Sequence, residues 1–136
     1  MSVYVQTNQP KEYINTATPQ TLSANDTGKV ILVGVQAQAT TLNLPAVAQG
    51  LHYKFIRTGN SATQAHDFII SAGATILYGA ITNVIDGLSV VNADTSIAFS
   101  AVAAHGQIGD TIDMYCDGVH WSVLAFGQLT TSFILA

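Results

Sequence analysis

The segment CDGVHWSVLAF, residues 116 to 126, gathers the side chains best able to do chemistry. It holds the only cysteine and the only tryptophan of the chain, together with Asp117 and His120. A thiol, an imidazole and a carboxylate so close in sequence are the parts of a nucleophilic site, in which the imidazole activates the thiol and the carboxylate orients the imidazole. The same letters also spell a β-hairpin. Asp-Gly flanked by β-formers is a strong two-residue turn signal, because both positions tolerate the positive φ that matches strand twist.

Alternation decides between the two. In TIDMYC, residues 111 to 116, Ile112, Met114 and Cys116 share one face of a strand, with Asp113 and Tyr115 on the other. In VHWSVLAF, residues 119 to 126, Val119, Trp121, Val123 and Ala125 share a face, opposite His120, Ser122, Leu124 and Phe126. Trp121 is therefore expected in the core beside Met114, and Cys116 as a small buried hydrophobe. His120 points the other way, so no cation stands by to make the thiol a thiolate. Asp117 and Gly118 are assigned to the turn.

The remaining polar residues supply no site. His66 and Asp67 are neighbours on an expected strand and face opposite sides. Asp110 and Asp113 are split the same way by their odd spacing. The one glutamate, Glu12, lies near the start of the chain, which disfavours a glycosidase pair. No zincin, nucleophile-elbow, phosphate-loop, dinucleotide or calcium-loop pattern occurs. His52, His66, His105 and His120 are isolated from one another, whereas a metal on a fibre axis needs His-x-His on one strand. No catalytic residue, cofactor or metal is expected, and the chain does not read as an enzyme.

Composition narrows the class further. With 136 residues the chain fits one domain, large enough to bury about two thirds of its unfolded surface without disulfides. Four basic against eight acidic residues, a net charge of −4, disfavour a phosphate-binding surface and hence a nucleic-acid partner. No secretory signal is visible, and no apolar run reaches the roughly 18 residues of a membrane span, so no membrane partner is expected. Only 9% of residues are charged, against about 25% in ordinary soluble domains. Fifteen threonines and nine serines supply hydroxyls in place of charges. A surface so poor in charge associates readily, and much of it is expected to be covered by neighbours.

The elements needed to hold such a surface read as strands. Apolar runs of three to six letters are separated by Gly, Asn, Asp, Ser and Thr. Nine strands are expected, at 28–35, 40–44, 51–58, 67–71, 76–82, 88–92, 95–102, 110–116 and 119–126. PAVAQG at 45–50 is the one place for a short helical turn, with proline at its start and glycine at its stop. The result is an all-β chain with a single β-sandwich or jelly-roll-like domain over residues 20–136 and an extended N-terminal arm over residues 1–19. In the arm, Val3, Tyr4 and Val5 can add as an edge strand to a partner's sheet. The domain ends in an apolar tail whose Phe133, Ile134 and Leu135 must pack against a neighbour or their own sandwich, and packing within a trimer is expected.

Two stretches of this pattern are similar to known proteins. TLNLPAVAQGLHYKFIRTG, followed by IGDTIDMYCDGVHWSVLAFG, resembles small phage structural proteins and segments of phage fibre proteins, which carry an LPA…GLxYxFI stretch before an IGD…DGxxW ending. The resemblance spans roughly residues 20 to 127 and rests on Leu44, Pro45, Gly50, Leu51, Tyr53 and Phe55, then on Gly109, Asp110, Asp117, Gly118 and Trp121. These are turn and core positions. Cys116 departs from the pattern, which has serine or another small residue there. The resemblance implies a compact β-sandwich, often trimeric, exposed on a virion. Its leading expectation is a decoration or cement protein that binds the major capsid protein lattice at the virion surface as a homotrimer. The alternative is a receptor- or glycan-binding domain of a tail fibre or spike, with Tyr53, Tyr78 or Tyr115 stacking on sugar rings.

Overall fold

The computed structural model describes residues 11–13, 19–34, 38–59, 67–85, 87–100, 108–129 and 132–136. Val3, Tyr4 and Val5, and with them the proposed arm contact, lie outside the described residues, as do His66 and His105.

The chain is nearly all β, and two mixed sheets pack together as a β-sandwich. Its strands are β1 (Lys11–Tyr13), β2 (Gln20–Thr21), β3 (Val30–Val33), β4 (Thr40–Asn43), β5 (His52–Arg57) and β6 (Phe68–Ser71), followed by β7 (Leu77–Asn83), β8 (Gly87–Asp94), β9 (Ser96–Phe99), β10 (Thr111–Cys116), β11 (Trp121–Gly127) and β12 (Phe133–Leu135). One sheet has the order β1-β3-β5-β10-β11-β7-β8, the other β12-β9-β6-β4-β2. All nine expected strands are present. β1, β2 and β12 are additions.

The first six strands alternate between the sheets. β1, β3 and β5 stack in parallel in one sheet, and β2, β4 and β6 stack in parallel in the other. Parallel neighbours need a crossover, and here the strand in the opposite sheet provides it. This coil-like half differs from the hairpin connections of a jelly roll. The second half adds antiparallel pairs, β10 on β5 and on β11, and β7 on β8.

Alternation produces the core. Ile31 and Val33 on β3, Tyr53 and Phe55 on β5, Leu42 on β4 and Ile70 on β6 all point between the sheets and are buried. On β10 and β11 the inward set is Ile112, Met114 and Cys116 against Trp121, Val123 and Ala125. Trp121 is 1% exposed, and its ring centroid stands 5.9 Å from that of Tyr53. The Tyr53 hydroxyl, which burial would leave without water, donates to the Ser23 carbonyl at 2.9 Å.

Several local expectations are corrected. PAVAQG forms no helical segment: it bends at Ala46 and ends in a turn at Gln49–Gly50. The helical turn that does form is the 3-10 segment Ala24–Asp26. Ser23 caps it by accepting from the Asn25 amide at 3.1 Å, while Asp26 accepts from the Ser23 amide at 3.1 Å. Val119 does not join Trp121 on the inward face, because β11 starts only at Trp121 and Val119 sits exposed in the turn.

Two segments near the chain ends pair with the sheets. Lys11–Tyr13 pairs in parallel with β3 at the edge of the larger sheet, so this part of the expected arm belongs to the sandwich. Phe133–Leu135 pairs antiparallel with β9, and Phe133 packs its ring 5.6 Å from that of Phe99. Phe133 and Leu135 are thus accommodated within the chain's own sandwich, and Ile134 faces outward.

Candidate functional site

The hairpin joining β10 to β11 is built by Asp117. Cys116 pairs with Trp121, and the Asp117 amide donates to the His120 carbonyl at 3.2 Å. The two central turn residues are therefore Gly118 and Val119, one position beyond the expected Asp117-Gly118. Gly118 has φ of +104° at the first central position, a conformation that glycine adopts without strain. Asp117 acts through its side chain: Oδ1 accepts from the Val119 amide at 2.8 Å and from the His120 amide at 2.7 Å. Those amides, His120 first and Val119 second, hold the Asp117 carboxyl below its ordinary pKa.

Cys116 is fully buried and His120 exposed, so the sequence neighbours form no nucleophile–base pair. Asp110 is buried and Asp113 lies on the outer face. Among the described residues, no three His, Cys, Asp or Glu side chains gather as a metal would require.

The outer face of the larger sheet carries the distinctive chemistry. Register places its side chains in rows across the strands. One row runs His52, Tyr115, Ser122, Tyr78 and Asn92, from β5 through β10, β11 and β7 to β8. The next runs Lys54, Asp113, Leu124, Ala80 and Val90, and the third Ile56, Thr111, Phe126, Thr82 and Leu88. Polarity therefore changes along the strands. The row nearest the hairpin is aromatic and polar, and the row farthest from it is largely apolar.

Within the first row two tyrosines flank Ser122, and each has a histidine and an aspartate beside it. His52 lies 6.4 Å from the Tyr115 ring centroid, and its Nε2 is 3.4 Å from Asp113 Oδ1. His120 meets Tyr78 edge to face at 5.2 Å and 87°, and its Nδ1 is 3.4 Å from Asp117 Oδ2. Lys54 Nζ stands 3.8 Å from the other oxygen of Asp113. A shallow depression of about 200 Å³ lies among His52, Asp113, Tyr115, Ser122 and Leu124.

Tyr53, one of the three tyrosines expected to stack on sugars, cannot do so, since it is buried. Tyr78 and Tyr115 are exposed on the same face. The sequence reading did not identify His52, Asp113 and His120 as companions of these rings. Their outward parity was legible, but their adjacency depends on pairings between distant strands.

The apolar end is equally marked. Leu88 is 70% exposed, Val90 71% and Leu124 61%, with Phe126 beside them and Val84 and Ile85 in the turn before β8. Among the described residues β8 forms one edge of the sheet and β1 the other.

No protein-family model matches the chain, and no curated protein matches it either.

Proposed function

We propose that this chain is a phage virion structural protein that decorates the capsid surface as a homotrimer. The observation that carries this reading is the apolar end of the outer sheet face. Leu88 and Val90 on β8 and Leu124 and Phe126 on β11 stand on either side of Ala80 and Thr82 on β7, and a monomer rarely leaves so many large apolar side chains on one face in water. Low charge, the resemblance to small phage structural proteins and the sandwich architecture support the same reading. The role needs no chemistry, only the burial of area between copies and against the lattice of the major capsid protein.

Two measurements test it. Light scattering of the purified chain at micromolar concentration is expected to give three times the 14.3 kDa chain mass. The double variant Leu88→Lys, Val90→Lys is expected to be monomeric yet folded, because both side chains point to solvent in the isolated chain. Cryo-microscopy of the parent particle is expected to find the chain in hundreds of copies on the shell. A monomeric parent chain, or a position confined to a few copies on a tail, overturns the reading.

A further inference from the structure

We infer that residues 2–7 of one copy, SVYVQT, add as a strand to the β8 edge of a second copy. The inference rests on the proposed homotrimer and says what joins its copies.

The sheet edges differ in what they can accept. Among the described residues they are β1 and β8 in the larger sheet and β2 and β12 in the smaller. β1, β2 and β12 have two or three residues each, and β1 carries Lys11 and Glu12, so they offer little backbone to a partner. β8 has eight residues. From Gly87 to Asn92 it pairs with β7 in unbroken register, so its far side is a regular template of amides and carbonyls.

The sequence contains a strand of matching length and pattern. Residues 2–7 alternate, with Val3 and Val5 of one parity and Ser2, Tyr4 and Gln6 of the other. β8 has the same spacing: Leu88 and Val90, 70% and 71% exposed, stand two residues apart on the outer face. With Val3 and Val5 beside them, the added strand extends that apolar surface, and a slip of one residue would turn both valines to the opposite face. Backbone hydrogen bonds supply the affinity and the alternate side chains the register. Neither partner carries a charged side chain over these stretches, residues 2–7 and 87–92, so none has to be desolvated.

Reach makes the pairing one between copies. Lys11 lies in β1, at the opposite edge of the sheet from β8. Six strand spacings separate the two edges, about 29 Å, and a strand added beyond β8 stands about 34 Å from β1. A fully extended chain covers at most about 21 Å from Lys11 back to Val5 and about 28 Å back to Val3. The segment therefore falls short of its own β8. Donor and acceptor are different surfaces of one chain, which makes the contact head to tail, and such contacts close into a ring or run on as a filament. In a closed trimer three donor segments fill three β8 edges.

Two measurements on the full chain test this. The double variant Val3→Pro, Val5→Pro removes two amide donors from the segment and bars it from a ladder, while leaving the strands of both sheets untouched. At the micromolar concentration where the parent scatters light as a trimer, this variant is expected to scatter as a monomer, with the spread of its NMR amide signals unchanged. In the second measurement Ser2→Cys carries a nitroxide, the fully buried Cys116 being left unlabelled. Exchanged with isotope-labelled copies that lack the nitroxide, it is expected to broaden the amides of Leu88 to Asn92 in those copies. A proline variant as trimeric as the parent, or β8 amides that the nitroxide leaves sharp, overturns the inference and leaves the homotrimer standing. A trimeric proline variant that no longer binds the parent particle overturns it too, because the segment then anchors the chain to the capsid lattice. A monomeric parent overturns the inference together with the homotrimer.

Discussion

Replacing Trp121 by alanine tests whether the hairpin that carries His120 and Ser122 takes its rigidity from the core. The indole is 1% exposed, leans against the Tyr53 ring at 5.9 Å, and sits at the first residue of β11, directly across from Cys116. Truncating a buried aromatic of this kind costs about 3 to 5 kcal/mol, from lost transfer energy and the cavity left behind. Unfolding entropy near the melting point is about 2.1 cal/mol/K per residue, which for 136 residues gives about 0.29 kcal/mol/K. The variant should therefore melt about 10 to 17 °C below the parent. A domain with about 5 to 15 kcal/mol of stability would remain folded in the cold in all but the least favourable case. Ser122→Ala is the matched control, since Ser122 lies on the same strand but points outward and away from the apolar patch, and it should cost no more than about 0.5 kcal/mol. Both are measured by calorimetry at one fixed protein concentration, because self-association raises the melting point by mass action. Melting of Trp121→Ala within about 3 °C of the parent, or an equal loss in Ser122→Ala, refutes the packing argument.

Three further outcomes follow from named contacts. Gly79→Ala should destabilise by about 3 kcal/mol or more in urea melts, because a Cβ there would meet the Val123 carbonyl oxygen at 1.8 Å and the parallel β7–β11 pair would have to open. Arg57→Ala should cost about 3 to 5 kcal/mol by the same measurement. Its buried guanidinium donates to the carbonyls of Ser100 and Gly59, and burial pulls its pKa down against the opposing pull of Asp110 and Asp67. Asp117 should titrate below its ordinary value of 3.8 in carbon-detected NMR. Because the folded pKa is the lower one, the turn's contribution is present at neutral pH and disappears as pH falls through that depressed value. Asp117→Ala should remove that contribution at neutral pH, and with it this part of the pH dependence.

The sandwich was legible where one face of a strand is buried and the other is not. TIDMYC and the WSVLAF part of the next strand separated correctly into inward and outward sets because the pleat has a strict period of two. Tyr53 carried the same signal, since it shares parity with Phe55, and that parity, rather than its being a tyrosine, decides that it is buried. Three features had no local signature. β1, β2 and β12 are two or three residues long, too short to display a period. The parallel stacking of β1, β3 and β5 depends on which strand lies beside which, and an alternating run does not name its neighbour. The turn slipped by one residue because Asp117 caps amides with its side chain, leaving the backbone conformations to Gly118 and Val119. The polar row of the outer face was invisible for the second of these reasons: Ser122 meets Tyr78 only through a parallel pairing of strands far apart in sequence.

The edge at β8 links the fold to the proposed assembly. Natural sheets blunt their free edges with lysine, proline, bulges or short strands. β8 runs eight residues from Gly87 to Asp94, with no lysine and no proline, and its outward side chains include Leu88 and Val90. Its one irregularity is a register shift beside Leu77 and Tyr78, at the end away from those two residues. An edge of this kind, continuous with an apolar face, satisfies its backbone and its side chains together when another protein covers it. The other end of the same face differs in kind: Tyr115 and Tyr78 each stand beside a histidine, with the short side chain of Ser122 on the strand between them. Under the proposed assembly, contact with protein at the apolar end of the strands leaves this hairpin end in solvent.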